Sequence, residues 1–155
     1  MKIGIMGGTF NPIHNAHLLI AEMAREEYGL DRVIFITDGN PPHKSANVTA
    51  KQRFEMTHIA IADNSAFEED DFEINRSEKS YTVNTLGYLK EKYPNDDLFF
   101  IIGEDSLNDF DKWYKPDKIL EMCSLLVFPR KSLKSLTETI KVVKEKMNGR
   151  IFPIS

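Results

Sequence analysis

The chain has 155 residues, 41% hydrophobic and 28% charged, with a net charge of −4. That suits one globular domain with its own core, and the acidic balance argues against non-specific nucleic-acid binding, which calls for a basic face. Cys123 is the single cysteine, so no intrachain disulfide forms. No apolar run approaches the ~18 residues of a membrane span, and the expected location is the cytoplasm.

Strand-like and helix-like segments alternate along the chain. Lys2-Ile3-Gly4-Ile5-Met6 is a short apolar run that reads as a buried first strand at 2–6. A helix follows at 14–28, ended by Gly29, with Ile20, Ala24 and Tyr28 on one stripe assigned to the core. The next strand, 32–37, carries the apolar run Val33-Ile34-Phe35-Ile36. Thr49-Ala50-Lys51-Gln52 is a capping box opening a helix at 50–62, in which His58 reads as structural. Beyond it come a strand at 71–75, a helix at 82–93, a strand at 97–102, a helix at 116–121 and a strand at 124–129. Ser135-Leu136-Thr137-Glu138 predicts the start of a last helix at 136–147, before a final strand at 150–154. Continuously apolar strands are buried on both faces, so the expectation is an α/β fold with an open, doubly wound, mainly parallel sheet, in a single domain over 1–155.

The most informative stretch is residues 7–17, Gly-Gly-Thr-Phe-Asn-Pro-Ile-His-Asn-Ala-His. Two glycines at a strand exit let backbone N–H groups approach a ligand, and a helix N-terminus points its unpaired N–H groups at the same spot. His14 and His17 are three residues apart and share a helical face. Together these suit a phosphate. The two common phosphate loops are absent: Met6 replaces the second glycine of a G-x-G-x-x-G, and no G-K-[ST] occurs.

In open α/β sheets the ligand lies beyond the carboxyl ends of the strands. Those ends deliver His43, Lys44, Asp105, Arg130 and Lys131 to one rim. Taken singly, Lys44 and Arg130 read sooner as solvated charges than as ligands and Pro41-Pro42 as a stiff turn, while Asp105 can cap a helix starting near Ser106. Trp113, the only tryptophan, lies among Asp111, Lys112, Tyr114 and Lys115. A lone tryptophan is more often core than ligand platform, and this polar setting shifts the balance towards a stacking surface.

GGTFNPIHNAH resembles the G-x-F-x-x-x-H-x-G-H signature of the nucleotidyltransferase superfamily, and more closely the bacterial nicotinate-nucleotide adenylyltransferase family. The likeness extends through Pro41-Pro42-His43-Lys44, Ser80-Tyr81-Thr82-Val83-Asn84-Thr85-Leu86, Gly103-Glu104-Asp105 and Trp113. Ala16 departs from the glycine usual between the two histidines, a small intrusion expected to alter the fit around the phosphates slightly.

The resemblance implies a Rossmann-like nucleotidyltransferase fold and adenylyl transfer from ATP to nicotinate mononucleotide. It implies catalytic roles for His14 and His17, which also bind ATP with Gly7, Gly8, Thr9, Phe10, Gly103 and Asp105. It implies mononucleotide contacts from Lys44, Thr82, Thr85, Trp113 and Arg130, with Trp113 stacking on the pyridine ring. Mg2+ is expected to arrive with ATP, held mainly by phosphates, with no dedicated metal ligands in the chain. A homo-oligomer is admitted by the sequence; nucleic-acid and membrane partners are not expected. The family carries a further I-S-[ST]-x-x-I-R motif, and Ile151-Phe152-Pro153-Ile154-Ser155 stops before it, so the chain is expected to lack its C-terminal segment. Two rivals stand beside this reading: a transferase of the same fold for another small phosphorylated substrate, and a catalytically weak nucleotide-binding module.

Overall fold

The computed structural model describes residues 1–8, 10, 13–39, 49–75, 81–130 and 132–155. Six strands form one sheet in the order β3-β2-β1-β4-β5-β6, every neighbouring pair parallel. They are β1 (Lys2–Gly8), β2 (Arg32–Thr37), β3 (Phe67–Asp70), β4 (Asp97–Gly103), β5 (Ser124–Phe128) and β6 (Ile151–Pro153). The helices are α1 (Asn15–Tyr28), α2 (Ala50–Ile61), α3 (Thr82–Lys92), α4 (Glu104–Asn108), α5 (Pro116–Met122) and α6 (Leu133–Lys146), with a 3-10 turn at Phe110–Lys112.

The sheet is doubly wound and buried on both faces. Ile3, Ile5, Ile34, Leu98 and Leu125 point into one core with Leu86, Leu89, Phe110 and Leu136 of the helices. Val33, Phe35, Ile101 and Leu126 point into the other, against Ala21 and Ala24 of α1. Phe35 and Phe110 are wholly buried. Each such side chain contributes about 1.5–3 kcal/mol, so the two cores rather than helix propensity hold the layers. Cys123 belongs to the first core; burial pushes its thiol pKa up to about 12, which leaves it inert at neutral pH.

Strand order reverses between β1 and β4: the chain winds outward from β1 to β3, then crosses back to β4 beside β1. Diverging connections leave a crevice there, at the carboxyl ends of the two central strands. That crevice is where the site forms.

Local signals account for most element ends. Thr49 and Gln52 make the reciprocal capping box, with Gln52 N–H on Thr49 Oγ1 at 3.1 Å and Thr49 N–H on Gln52 Oε1 at 3.0 Å. Gly29 closes α1 in the left-handed region at φ 65, where a side chain would be strained. Along the α1 stripe, Ala24 is fully buried while Ile20 and Tyr28 are partly buried against the second core.

Three expectations are corrected. The strand expected at 71–75 is β3, Phe67–Asp70, and residues 72–75 form a turn. Its Glu68-Glu69-Asp70 run reads as loop in sequence, yet β3 is an edge strand with one neighbour, and each carboxylate has a partner. Glu68 pairs with Arg32 at 2.8 Å, Glu69 with His58, and Asp70 with Lys92 at 3.2 Å and the Tyr88 hydroxyl at 3.1 Å. The last helix starts at Leu133, one turn before 136, because Ser132 is the cap and its hydroxyl accepts from Ser135 N–H at 3.2 Å. Residues 104–112, for which the sequence offers only a helix start near Ser106, contain α4 from Glu104 and the 3-10 turn. Both are too short for helical periodicity to register.

Candidate active site

A cavity of about 360 Å³ opens in the crevice. Its floor is the exit of β1 (Met6, Gly7, Gly8) and of β4 (Ile102, Gly103). His17 and Ile20 of α1 form one wall; Thr82, Thr85 and Leu86 of α3, with Glu73 and Asp38, form the opposite one. Trp113 and Ser106 close the end beyond β4.

The wall at α1 begins with its cap. His14 is the N-cap, with φ −138, so the helix starts one residue later than 14–28. His14 N–H donates to His17 Nδ1 at 3.1 Å, and His17 N–H donates to the His14 carbonyl at 3.0 Å. The two imidazoles lie 4.0 Å apart, while the Phe10 ring stands edge-on to His17 at 5.2 Å. Burial, and then the charge of His14, hold the His17 pKa below the ordinary 6.5, so the ring is neutral at pH 7. With Nδ1 engaged as acceptor, the proton of that neutral ring sits on Nε2. His17 thus offers the cavity an N–H donor whose tautomer is fixed by its own cap.

The two glycines differ in purpose. An added Cβ on Gly7 meets nothing nearer than 3.9 Å, so its bareness leaves the backbone open to a ligand. At Gly8 the same Cβ would lie 2.9 Å from the Phe10 ring. Gly8 makes room for Phe10, and Phe10 in turn supports His17. Phe10 is 3% exposed and holds a positive φ of 49, uncommon for an aromatic residue.

The far end is assembled from distant segments. Thr85, 4% exposed, donates its hydroxyl to Glu73 Oε2 at 2.5 Å. The Asp38 carbonyl at the end of β2 accepts from Arg53 Nη1 at 2.6 Å, and burial lowers the pKa of that guanidinium. The Trp113 indole packs against Phe110 at 4.9 Å and Phe100 at 6.2 Å between ring centroids. This corrects the expected exposed setting. One side of Trp113 is core and the rest lines the cavity, because the 3-10 turn folds the indole back over β4.

The Cytidylyltransferase-like family model matches residues 5–151. A probable nicotinate-nucleotide adenylyltransferase of Citrifermentans bemidjiense is 48% identical over 146 residues, covering 92% of this chain and 68% of the relative. The chain belongs to the nicotinate-nucleotide adenylyltransferase family. A second relative of the same name, from Geobacter sulfurreducens, is 50% identical over 132 residues, covering 84% of this chain and 61% of its own length. The chain therefore spans about two thirds of these curated adenylyltransferases. Among solved structures, the Plasmodium falciparum nicotinic acid mononucleotide adenylyltransferase complexed with NaAD shares the fold, with a TM-score of 0.76 at 22% identity over 99% of this chain and 75% of that one.

The residues that the resemblance to adenylyltransferases singles out are distributed unevenly. Gly7, Gly8, His17, Gly103, Thr82, Thr85 and Trp113 line the one cavity. His14 is exposed beside His17, and Phe10 stands behind it in the core. Asp105 does not cap a helix near Ser106, since α4 already starts at Glu104. Asp105 instead pairs with Arg130 at 3.2 Å on the rim, both side chains about two-thirds exposed. Such exposed pairs are worth about 0–1 kcal/mol, so an arriving anion easily takes Arg130 from its partner. Thr9 and Lys44, with His43 and Lys131, lie outside the described residues.

The lining residues that the sequence reading did not name as site members include Ile20, Asp38, Glu73 and Phe128. Ile20 was assigned to the core by its stripe, and Glu73 fell inside the misplaced strand. Asp38 had a signal, its position at a strand end.

Proposed function

We propose that this chain carries the site of adenylyl transfer from ATP to nicotinate mononucleotide, giving nicotinate adenine dinucleotide and pyrophosphate, a cytoplasmic step of NAD biosynthesis. The observation that carries the reading is one cavity with two chemically different ends. Gly7, Gly8 and His17 line one side of it; Thr85, Glu73 and Trp113 line the other.

A mononucleotide phosphate oxygen attacks the α-phosphorus of ATP. The new P–O bond forms as the bond to the β-phosphate oxygen breaks, and pyrophosphate leaves with the electron pair. The nucleophile is already anionic, so no general base and no covalent enzyme intermediate are required. Catalysis is positioning plus stabilisation of charge on the transferred group. His17 supplies a preorganised N–H donor, and His14, exposed at the helix start, supplies a second imidazole 4.0 Å away. Gly103 and Asp105 are assigned to the nucleotide and its ribose, Thr82, Thr85 and Trp113 to the nicotinate moiety, and Arg130 to a phosphate.

Among the described residues no three His, Cys, Asp or Glu side chains gather to hold a metal ion. We read Mg2+ as part of the substrate, carried by the triphosphate, where its charge would offset that of the pyrophosphate. No helix among the described residues is long and apolar enough to cross a membrane.

The test is dinucleotide formation from ATP and nicotinate mononucleotide, with stoichiometric pyrophosphate. Turnover at parental rate in His17→Ala contradicts the assigned chemistry.

A further inference from the structure

The turn at 72–75 ties together the segments that make the mononucleotide end of the cavity, and Glu73 is its contact point. Its carboxylate accepts the Thr85 hydroxyl at 2.5 Å, the length of a charge-assisted O–H···O⁻ bond. Its backbone carbonyl presses on the turn after β2, where a Cβ added to Gly39 would sit 2.1 Å from the Glu73 oxygen. Only glycine admits that contact. The one residue therefore fixes the exit of β2, which presents Asp38, and the first turn of α3, which presents Thr82 and Thr85. Arg53, 2% exposed, holds the same β2 exit from behind through the Asp38 carbonyl.

The hydrogen bond also decides what Thr85 can recognise. A hydroxyl has one proton, and here it goes to Glu73, so Thr85 Oγ1 offers the cavity only lone pairs. A ligand carboxylate finds no donor in that hydroxyl. It has to be met by the N–H groups of Thr82 and Val83 at the start of α3, since those of Asn84 and Thr85 donate to the Tyr81 carbonyl. Thr85 contributes by holding that turn in place.

We propose that Glu73 is a positioning residue for mononucleotide binding: by accepting the Thr85 hydroxyl and bracing Gly39, it sets the wall against which the pyridine end of the substrate docks. The proposal rests on the assignment of this cavity end to nicotinate mononucleotide. Glu73 lies on the Thr85 side of the cavity, so its removal is expected to weaken the mononucleotide and spare ATP.

Calorimetric titration of nicotinate mononucleotide and of ATP, each alone, against the parental chain, Glu73→Ala, Glu73→Gln and Thr85→Val tests it. Losing a hydrogen bond to a charged group weakens binding by about tenfold, so Glu73→Ala and Thr85→Val both lose about that factor for the mononucleotide and keep parental ATP affinity. Glu73→Gln keeps an acceptor for the hydroxyl and restores most of the affinity. The double variant Glu73→Ala/Thr85→Val is no weaker than Glu73→Ala alone, because that change has already removed the Thr85 bond. Parental mononucleotide affinity in Glu73→Ala, equal loss for both ligands, or no rescue by glutamine overturns the proposal. If melting curves show Glu73→Ala unfolded, Thr85→Val decides alone, and parental affinity there overturns it. If the parental chain itself binds no mononucleotide, the assignment of the cavity fails and the role of Glu73 falls with it; parental binding with unaffected variants sinks Glu73 only.

Discussion

The two ends of the cavity are built in different ways. The histidine end comes from one continuous stretch, the exit of β1 and the start of α1, in which Gly8 seats Phe10, Phe10 supports His17, and the His14 N–H orients the imidazole. The opposite end is assembled from the exit of β2, the turn at 72–75, α3 and the 3-10 turn, joined by Arg53, Glu73 and the Trp113 packing. A local construction places a donor through covalent geometry and one cap. An assembled construction places its groups only as well as the surrounding core is packed. Changes at the first end should therefore alter chemistry without stability, and changes at the second should alter both.

The largest expected effect is at His17. His17→Ala removes a preorganised donor and is expected to lower turnover by about 10²–10³. Its melting temperature stays near parental, since the Phe10 core remains. Dinucleotide formation and a melting curve on one preparation check both halves; a folded variant with near-parental turnover breaks the comparison at its first end.

Trp113→Ala is next. Full truncation of a buried aromatic costs about 3–5 kcal/mol, and this indole is only partly buried, so roughly 2 kcal/mol of stability is expected to go. The Michaelis constant for the mononucleotide rises several-fold while that for ATP holds. Denaturant titration and steady-state kinetics measure the two losses. Loss of stability with both constants moving together would make Trp113 core alone.

Arg130→Ala should cost less than about 0.5 kcal/mol of stability, because its pair with Asp105 is exposed on both sides. Any effect appears as weaker substrate binding, measured by calorimetry. A larger fall in the denaturation midpoint would show that the rim pair braces the fold.

The smallest effect concerns pH. The folded pKa of His17 lies below the ordinary 6.5, so on acidification the unfolded chain takes the proton first. The stabilisation from the neutral ring is present above pH 6.5 and is lost as pH falls through the lower folded value. Melting temperatures of the parental chain and His17→Gln should converge as pH drops through that window. Binding of a triphosphate raises the pKa again, so calorimetry in buffers of different ionisation enthalpy should show proton uptake below the ordinary histidine value of 6.5.

The same contrast explains what could be read from sequence. Strand alternation and the apolar runs at Val33–Ile36 and Leu98–Ile102 were enough for the parallel doubly wound sheet, because strands buried on both faces leave an unmistakable composition. The glycine turn and both histidines were legible for the same reason: their spacing is their geometry. Glu73 was not, since its partner Thr85 is twelve residues away and its other contact, Gly39, belongs to a different strand exit. β3 was misplaced because its acidic residues find their partners on β2, α2 and α3 only after folding. Trp113 was read as exposed from polar neighbours in sequence, while its neighbours in space are Phe100 and Phe110.

The central claim is that one cavity holds two substrates at two separate ends, and the single tryptophan sits at only one of them. Fluorescence of Trp113 titrated with each substrate alone reads this directly. The account predicts saturable quenching by nicotinate mononucleotide and little change with ATP. Equal quenching by ATP alone, or a flat response to the mononucleotide from a chain that binds it by calorimetry, would contradict the division of the cavity.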